Sequence, residues 1–496
     1  MSYKIKLFNK GVTSDYTIEE GTNLLQFIRD NTEGFSAPCG GNGMCGKCKV
    51  EVKGEGHVTS CLYDVSRDIE VVMPGEQTMK ILSTQYELTK TYWLNIGETA
   101  MLTSMPYGIA IDIGTTTMVF YIVNLVTSSV VEVISMINPQ TKYGADVISR
   151  ISYGAENQNG VVELQMALID QINEVIDDYT RRAELLPEYF VKIAVVGNST
   201  MLHQLMGIDA ISIAHAPFNT VFKETKIVPS KELGVNINNE GQVVLSPSKS
   251  AYVGADIIAG LASLEREKIG KNLLFIDIGT NGEMVLVTPD RTISCATAAG
   301  PAFEGANISC GMGAIDGAVS KYTFDSYEVI GGGTQAKGVC GSGLIDIVGE
   351  MLKHEVMTSD GNIKEDFIIH ENRKKIISLT QQDIREVQLA KSAIASGIKR
   401  MMAIAGISNK DLDNVLLAGG FGNYINIENA IKIGLLPDVP VEKYIQVGNT
   451  AGTGATLALK SVDFIKEMEE LIDEMEYIEL STDEEFTTEF AMNMFF

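Results

Sequence analysis

Apolar and polar positions alternate over residues 3–8 (Tyr3-Lys4-Ile5-Lys6-Leu7-Phe8), and Tyr16-Thr17-Ile18 reads as a second strand. Thr22 is placed to cap a short helix over 23–30, where Leu24, Leu25, Phe27 and Ile28 are apolar. A loop rich in cysteine and glycine follows. Residues 48–52 and 69–72 then read as strands, and Pro74-Gly75 ends the unit. A small sheet crossed by one helix predicts a β-grasp domain over residues 1–76. Residues 77–105 show no clear period and hold the only tryptophan, Trp93. They are expected to form a linker that packs on some other surface.

From Tyr107 the texture changes. Apolar strands at 109–113, 118–124, 191–196, 273–278, 283–287 and 414–418 alternate with stretches of helix length, an α/β pattern over 106–460. The chain also repeats itself: Ile-Asp-Ile-Gly-Thr occurs at 111–115 and again at 276–280, each time after an apolar strand and shortly before another. Identical flanking structure points to a duplicated domain. Beyond it, residues 463–476 carry Phe464, Ile465, Met468, Leu471, Ile472 and Met475 at helical spacing. The last residues, from Phe486 to Phe496, read as strand-like and aromatic. The segment 461–496 is expected to be a solvated outer face with a small docking stripe.

Composition narrows the class. A chain of 496 residues, 45% hydrophobic and 21% charged, is ordinary for a globular protein of roughly three or four domains. No uncharged apolar run reaches the roughly 18 residues of a membrane span. The N-terminus lacks the apolar core of a secretory signal, so a cytoplasmic location is expected. Lys and Arg number 39 against 64 Asp and Glu, a net charge of −25. Such a surface repels phosphate backbones and argues against a nucleic-acid partner. Residues 461–496 hold 12 acids and one lysine, nearly half of that net charge.

Four of the seven cysteines, Cys39, Cys45, Cys48 and Cys61, lie within 23 positions in the pattern C-x5-C-x2-C-x12-C. Four thiolates can hold a [2Fe–2S] cluster, and Gly40, Gly41, Gly43 and Gly46 suit a loop that must wrap it closely. Structural zinc is the rival reading, but zinc sites pair their cysteines on two knuckles and only one is present. This stretch resembles the [2Fe–2S] ferredoxin family, with one residue more than the usual C-x4-C-x2-C loop. Cys295, Cys310 and Cys340 are 15 and 30 residues apart and read as buried small residues. His203 reads as a hydrogen-bonded structural residue.

No G-x4-G-K-[ST] loop occurs, but two other phosphate loops do: Asp112-Ile113-Gly114-Thr115-Thr116-Thr117 and Asp277-Ile278-Gly279-Thr280-Asn281-Gly282. In each, an aspartate ends a buried strand. Glycine lets backbone amides approach phosphate oxygens, threonine adds donors, and the aspartates can hold hydrated Mg²⁺. A third element, Val415-Leu416-Leu417-Ala418-Gly419-Gly420-Phe421-Gly422, would let a strand end approach an adenosine. This order resembles the actin, Hsp70 and sugar-kinase superfamily. The resemblance implies Mg·ATP as cofactor, held by Asp112, Gly114, Thr115, Thr116, Gly279, Thr280, Asn281, Gly419, Gly420 and Gly422, with Asp277 catalytic. In that superfamily a helix before the second loop carries an acid that orients the attacking water. The matching position is Asp256, for which a helix-capping or surface role is the alternative.

Further motifs lie in the same domain: Gly197-Asn198-Ser199-Thr200-Met201-Leu202-His203, Gly300-Pro301-Ala302-Phe303-Glu304, Gly338-Val339-Cys340-Gly341-Ser342-Gly343 and Gly448-Asn449-Thr450-Ala451-Gly452. With the N-terminal ferredoxin they resemble the reductive activators of corrinoid proteins. That resemblance implies ATP-dependent reduction of inactive Co(II) to Co(I), by one electron from the cluster. It also implies a corrinoid protein of a methyltransferase system as partner and an electron donor that the sequence does not name. It leaves a homodimer open. The alternative is a small-molecule kinase of the sugar-kinase superfamily with an attached redox ferredoxin domain. An electron carrier whose nucleotide domain only docks, and an activator of 2-hydroxyacyl-CoA dehydratase, rank lower.

Overall fold

The computed structural model describes residues 2–9, 12–32, 35, 48–73, 89–332, 335–372 and 375–496. The N-terminal sheet runs in the order Val12–Glu19, Ser2–Asn9, Ile69–Val72, Lys49–Val52, Gly56–Thr59. Ser2–Asn9 pairs antiparallel with Val12–Glu19 and parallel with Ile69–Val72. The helix Leu24–Asn31 packs Leu24, Phe27 and Ile28 against Ile5, Val50 and Val71. This is the expected β-grasp arrangement. The cap differs: Asn23 accepts from the Leu25 and Gln26 amides, while the Thr22 hydroxyl is turned back to the Glu19 carbonyl at 2.8 Å. The strand Gly56–Thr59 was hidden by its glycine and histidine.

Two six-stranded sheets follow, and their order exposes the duplication. One runs Lys226–Pro229, Gln242–Leu245, Phe190–Gly197, Tyr107–Ile113, Thr117–Asn124, Ser129–Ile137. The other runs Tyr444–Gly448, Asn414–Ala418, Leu273–Ile278, Gly282–Val287, Thr292–Thr297, Met475–Ile478. In each, the strand bearing Asp-x-Gly-Thr is central, antiparallel to the next strand in sequence and parallel to its other neighbour. The fold is therefore an N-terminal ferredoxin-type domain followed by an actin- and Hsp70-like domain of two related halves.

The helices Ala255–Ala262 and Thr450–Lys460 pack closely against each other. A Cβ on Gly454 would stand 2.4 Å from the Ala259 carbonyl oxygen, and one on Gly260 would stand 2.7 Å from Thr450 Oγ1. Only glycine permits this approach.

Residues 89–105 form a strap against the C-terminal ends of these two helices. The Lys90 amide donates to the Ser263 carbonyl and the Asn95 amide to the Lys460 carbonyl, both at 2.8 Å, and Asn95 accepts from the Val462 amide at 3.0 Å. Tyr92 stacks edge-on against Phe464, Lys90 and Tyr92 meet Glu467, and Ile96 is buried. Trp93 takes no part in this packing and is 94% exposed.

The C-terminal segment is more than an outer face. The helix Val462–Glu474 leads into Met475–Ile478, a parallel edge strand on Thr292–Thr297. The stretch expected to be strand-like from Phe486 is instead the helix Glu484–Met492, capped by Asp483. It lies along the long helix Gln381–Ala405, where Gln388, Lys391 and Ser392 donate to the Met494, Phe495 and Phe490 carbonyls. An acidic first turn and an Asx cap outweighed aromatic strand preference. No helix among the described residues is long and apolar enough to cross a membrane.

Candidate functional site

Strand ends from both halves meet at one cleft. Asp112 sits near the end of Tyr107–Ile113, and the turn after it is closed by the Gly114 amide donating to the Thr117 carbonyl at 2.9 Å. Asn138 holds this turn from behind, donating from Nδ2 to the Gly114 carbonyl at 2.8 Å and from its amide to Thr116 at 2.9 Å. Asn198 Nδ2 donates to Thr115 Oγ1 at 3.1 Å. In the second half, Asp277 sits near the end of Leu273–Ile278. The Gly279 amide reaches the Asn281 carbonyl at 2.8 Å, and Thr280 Oγ1 donates to Glu304 Oε2 at 2.7 Å.

The third glycine element closes on the second. Gly419 has φ +76°, and a Cβ there would lie 2.3 Å from Asp277 Oδ1. Gly420 opens to free space, while Gly422 backs onto Leu417.

Asp256 occupies the first turn of Ala255–Ala262, where an acid is favoured by the helix dipole. Asn449 caps Thr450–Lys460 through the Gly452 amide and donates from Nδ2 to Asp112 Oδ2 at 3.1 Å. The two closely packed helices thus begin at the cleft and end at the strap.

The cleft is strongly acidic. Burial raises the Asp112 and Asp277 carboxyls to about 7, with Asp256 adding repulsion to both. Burial raises Asp256 to about 6. Glu283 stands directly opposite Asp277 on the neighbouring strand, and burial followed by repulsion from Asp256 and Asp277 raises it well above the usual range. Glu304 is exposed as a residue, but its carboxylate turns inward to Thr280 and is raised by burial too. Among the described residues no three His, Cys, Asp or Glu side chains are close enough to hold an ion together. A cation here would take most of its ligands from water and phosphate, as Mg²⁺ does.

In the N-terminal domain, the hairpin register brings Cys48 and Cys61 to one end. Lys49 pairs with Thr59, and Ser60 donates to the Cys48 carbonyl from both its amide and its hydroxyl, each at 2.8 Å. Asn23 Nδ2 fixes the Cys61 carbonyl at 3.1 Å. Two thiols at one hairpin end suit half of a four-cysteine cluster site. Cys39, Cys45 and their glycine loop lie outside the described residues. Cys295 and Cys340 are buried and Cys310 half-buried. His203 is buried, its Nδ1 2.6 Å from the Ser199 carbonyl, its Nε2 accepting from the Val221 amide, and its ring stacked on Phe222.

Asn198, Asn449, Glu283 and Glu304 were given no role from sequence. A Gly-Asn-(Ser/Thr) triplet follows both Phe190–Gly197 and Tyr444–Gly448, a signal that could have found the two asparagines. Glu283 lies six positions after Asp277, where a two-strand register puts it opposite.

Three family models match in chain order: the 2Fe-2S iron-sulfur cluster binding domain over residues 7–73, the RACo middle region over 107–268, and the C-terminal domain of RACo, the ASKHA domain, over 271–496. The corrinoid activation enzyme RamQ of Eubacterium limosum is 31% identical, covering 92% of this chain and 93% of that one. The [Co(II) methylated amine-specific corrinoid protein] reductase of Methanosarcina barkeri is 27% identical over 70% of this chain and 68% of that one. A solved reductive activator for corrinoid, iron-sulfur protein superimposes with a TM-score of 0.70 at 29% identity, covering 99% of this chain and 98% of that one. The chain belongs to the family of reductive activators of corrinoid proteins.

Proposed function

We propose that this protein acts in the cytoplasm, where it reduces the cobalt of a corrinoid protein of a methyltransferase system from Co(II) to Co(I), and that turnover requires Mg·ATP. Its relatives are named for corrinoid activation and for reduction of a Co(II) corrinoid protein, which supports the reaction class. Cys39, Cys45, Cys48 and Cys61 would hold a [2Fe–2S] cluster, which when bound supplies a one-electron donor. Asp112 and Asp277 are the proposed anchors of hydrated Mg²⁺. Gly114, Thr115, Thr116, Gly279, Thr280 and Asn281 would bind phosphate, Gly419, Gly420 and Gly422 the adenosine, and Asp256 would orient the attacking water.

The observation that carries ATP dependence is the strap. The segment leading from the ferredoxin domain is hydrogen-bonded to Ser263 and Lys460, at the far ends of the helices whose near ends present Asp256 and Asn449 to the cleft. A ligand shifts an equilibrium only through different affinity for its two states. Nucleotide that draws Asp112 and Asp256 together would move these helices, and with them the strap. Formation of Co(I) is followed by its absorbance, anaerobically, with a chemical reductant, a purified native corrinoid protein and the full chain. Co(I) is expected with ATP and not without it. Equal rates without ATP, or phosphorylation of a sugar with no Co(I) from any native corrinoid protein, would overturn the proposal.

A further inference from the structure

Arg150 lies outside every motif that marks the nucleotide loops, yet it touches one of them. It is carried by the helix Val147–Glu156 and is among the largest fully buried side chains. Its guanidinium donates from Nη2 to the Thr115 carbonyl, from Nε to the Gly144 carbonyl at 2.9 Å, and from Nη1 to Gln140 Oε1 at 3.3 Å, with Met201 Sδ at 3.5 Å. All four acceptors are uncharged. Asp146, the helix cap, acts on it only at longer range. A buried cation without a hydrogen-bonded carboxylate is costly to keep, so some other anion should offset it. Burial lowers the group only to about 10, so it stays charged at neutral pH.

The opposite side of the same loop is where the phosphates would lie. The cleft gathers Asp112, Asp256, Asp277, Glu283 and Glu304, none of which offers a positive charge to a triphosphate. Asn138 and Asn198 brace the loop but carry no charge. We propose that Arg150 is a positioning residue of the ATP site: it fixes the first phosphate loop through the Thr115 carbonyl and supplies the buried positive charge that the phosphates meet there. The proposal rests on the ATP reading above and assigns to it a residue that never touches the ligand.

The test is binding of adenosine, Mg·ADP and Mg·ATP to the full chain and its variants by calorimetry. Arg150→Met keeps length and apolar packing but removes the charge. Arg150→Lys keeps the charge and loses the fork. Asn138→Ala loosens the same loop without changing charge. Arg150→Met should weaken Mg·ATP by about tenfold or more, weaken Mg·ADP less and leave adenosine within about twofold. Arg150→Lys should recover part of the loss, and Asn138→Ala should weaken both nucleotides alike. Equal losses in Met and Lys variants, equal losses for adenosine and ATP, or no loss would overturn it. So would loss of folding in both variants, seen as a lost cooperative melt and lost adenosine binding, which would assign Arg150 to stability alone. A wild-type chain that binds no adenine nucleotide would instead refute the ATP reading itself.

Discussion

Asp277 shows at the scale of one residue how the site works against its own fold. Its carboxyl is raised to about 7 by burial, then by Asp256 and Glu304. A raised carboxyl binds its proton more tightly folded than unfolded. Stability is therefore lost as pH climbs from the unfolded value through the folded one, a window from about 4 to 7. Without nucleotide, Asp277→Asn should melt about 2–4 °C above wild type at pH 8, with the gap closing toward pH 5. A gap that widens on acidification would reverse the assigned sign. The same variant should lose Mg²⁺-dependent ATP binding, because an amide is a weaker ligand for a hard cation. Asp277, Asp112 and the four cysteines could be singled out as candidates from sequence because the chemistry proposed for them depends on neighbours a few positions away. Asn449 could not: its partner Asp112 is 337 residues distant, and only the closed fold brings them together. Arg150 was hidden for a similar reason, since one arginine in a helix gives no hint that it is buried behind a loop.

The elements that matter most are the two helices that Gly260 and Gly454 bring into close contact. At Gly454 an added Cβ would meet backbone at 2.4 Å, which cannot move aside as a side-chain end could. Gly454→Val should therefore force the helices apart, lower stability by about 1–3 kcal/mol and weaken nucleotide binding through Asn449 and Asp256. Thermal melts with and without ATP would check this; an unchanged ATP-induced shift would separate the crossing from the site. The duplicated strands around Asp112 and Asp277 were readable because apolar runs followed by the same pentapeptide are local signals. The tail was not, because Phe486, Phe490 and Phe496 read as strand until the helix Gln381–Ala405 supplies the surface they cover. Ending the chain at residue 482 would strip Lys391 and Ser392 of their carbonyl partners and leave Gln388 the Asp360 carbonyl alone. Each buried polar group left unpaired costs about 1–3 kcal/mol, so the truncated chain should melt lower and be cut first within its second half by limited proteolysis.

At the scale of the whole molecule, the question is how a nucleotide cleft and a redox domain act as one device. The sequence suggested a linker at 77–105 that packs on some other surface and singled out no residue for that packing; the structure places Tyr92 and Ile96 inward and Trp93 outward, and ties the strap by main-chain bonds. Main-chain pairing leaves no side-chain signature, which is why the strap escaped the sequence reading. It also offers a clean test. Asn95→Pro removes the N–H that donates to the Lys460 carbonyl, whereas Asn95→Ala keeps it and loses only a weak side-chain contact to Asp463. If the strap transmits nucleotide state, Asn95→Pro should keep ATP binding and the visible spectrum of the cluster, yet lose most of the stimulation of corrinoid reduction by ATP. Asn95→Ala should behave like wild type. Cys61→Ser and Asp277→Asn bracket the result, the first sparing ATP binding, the second sparing a reducible cluster. Full ATP stimulation in the proline variant would show that the coupling runs through another contact, and a loss shared by the alanine variant would assign it to the side chain rather than to the strap's backbone.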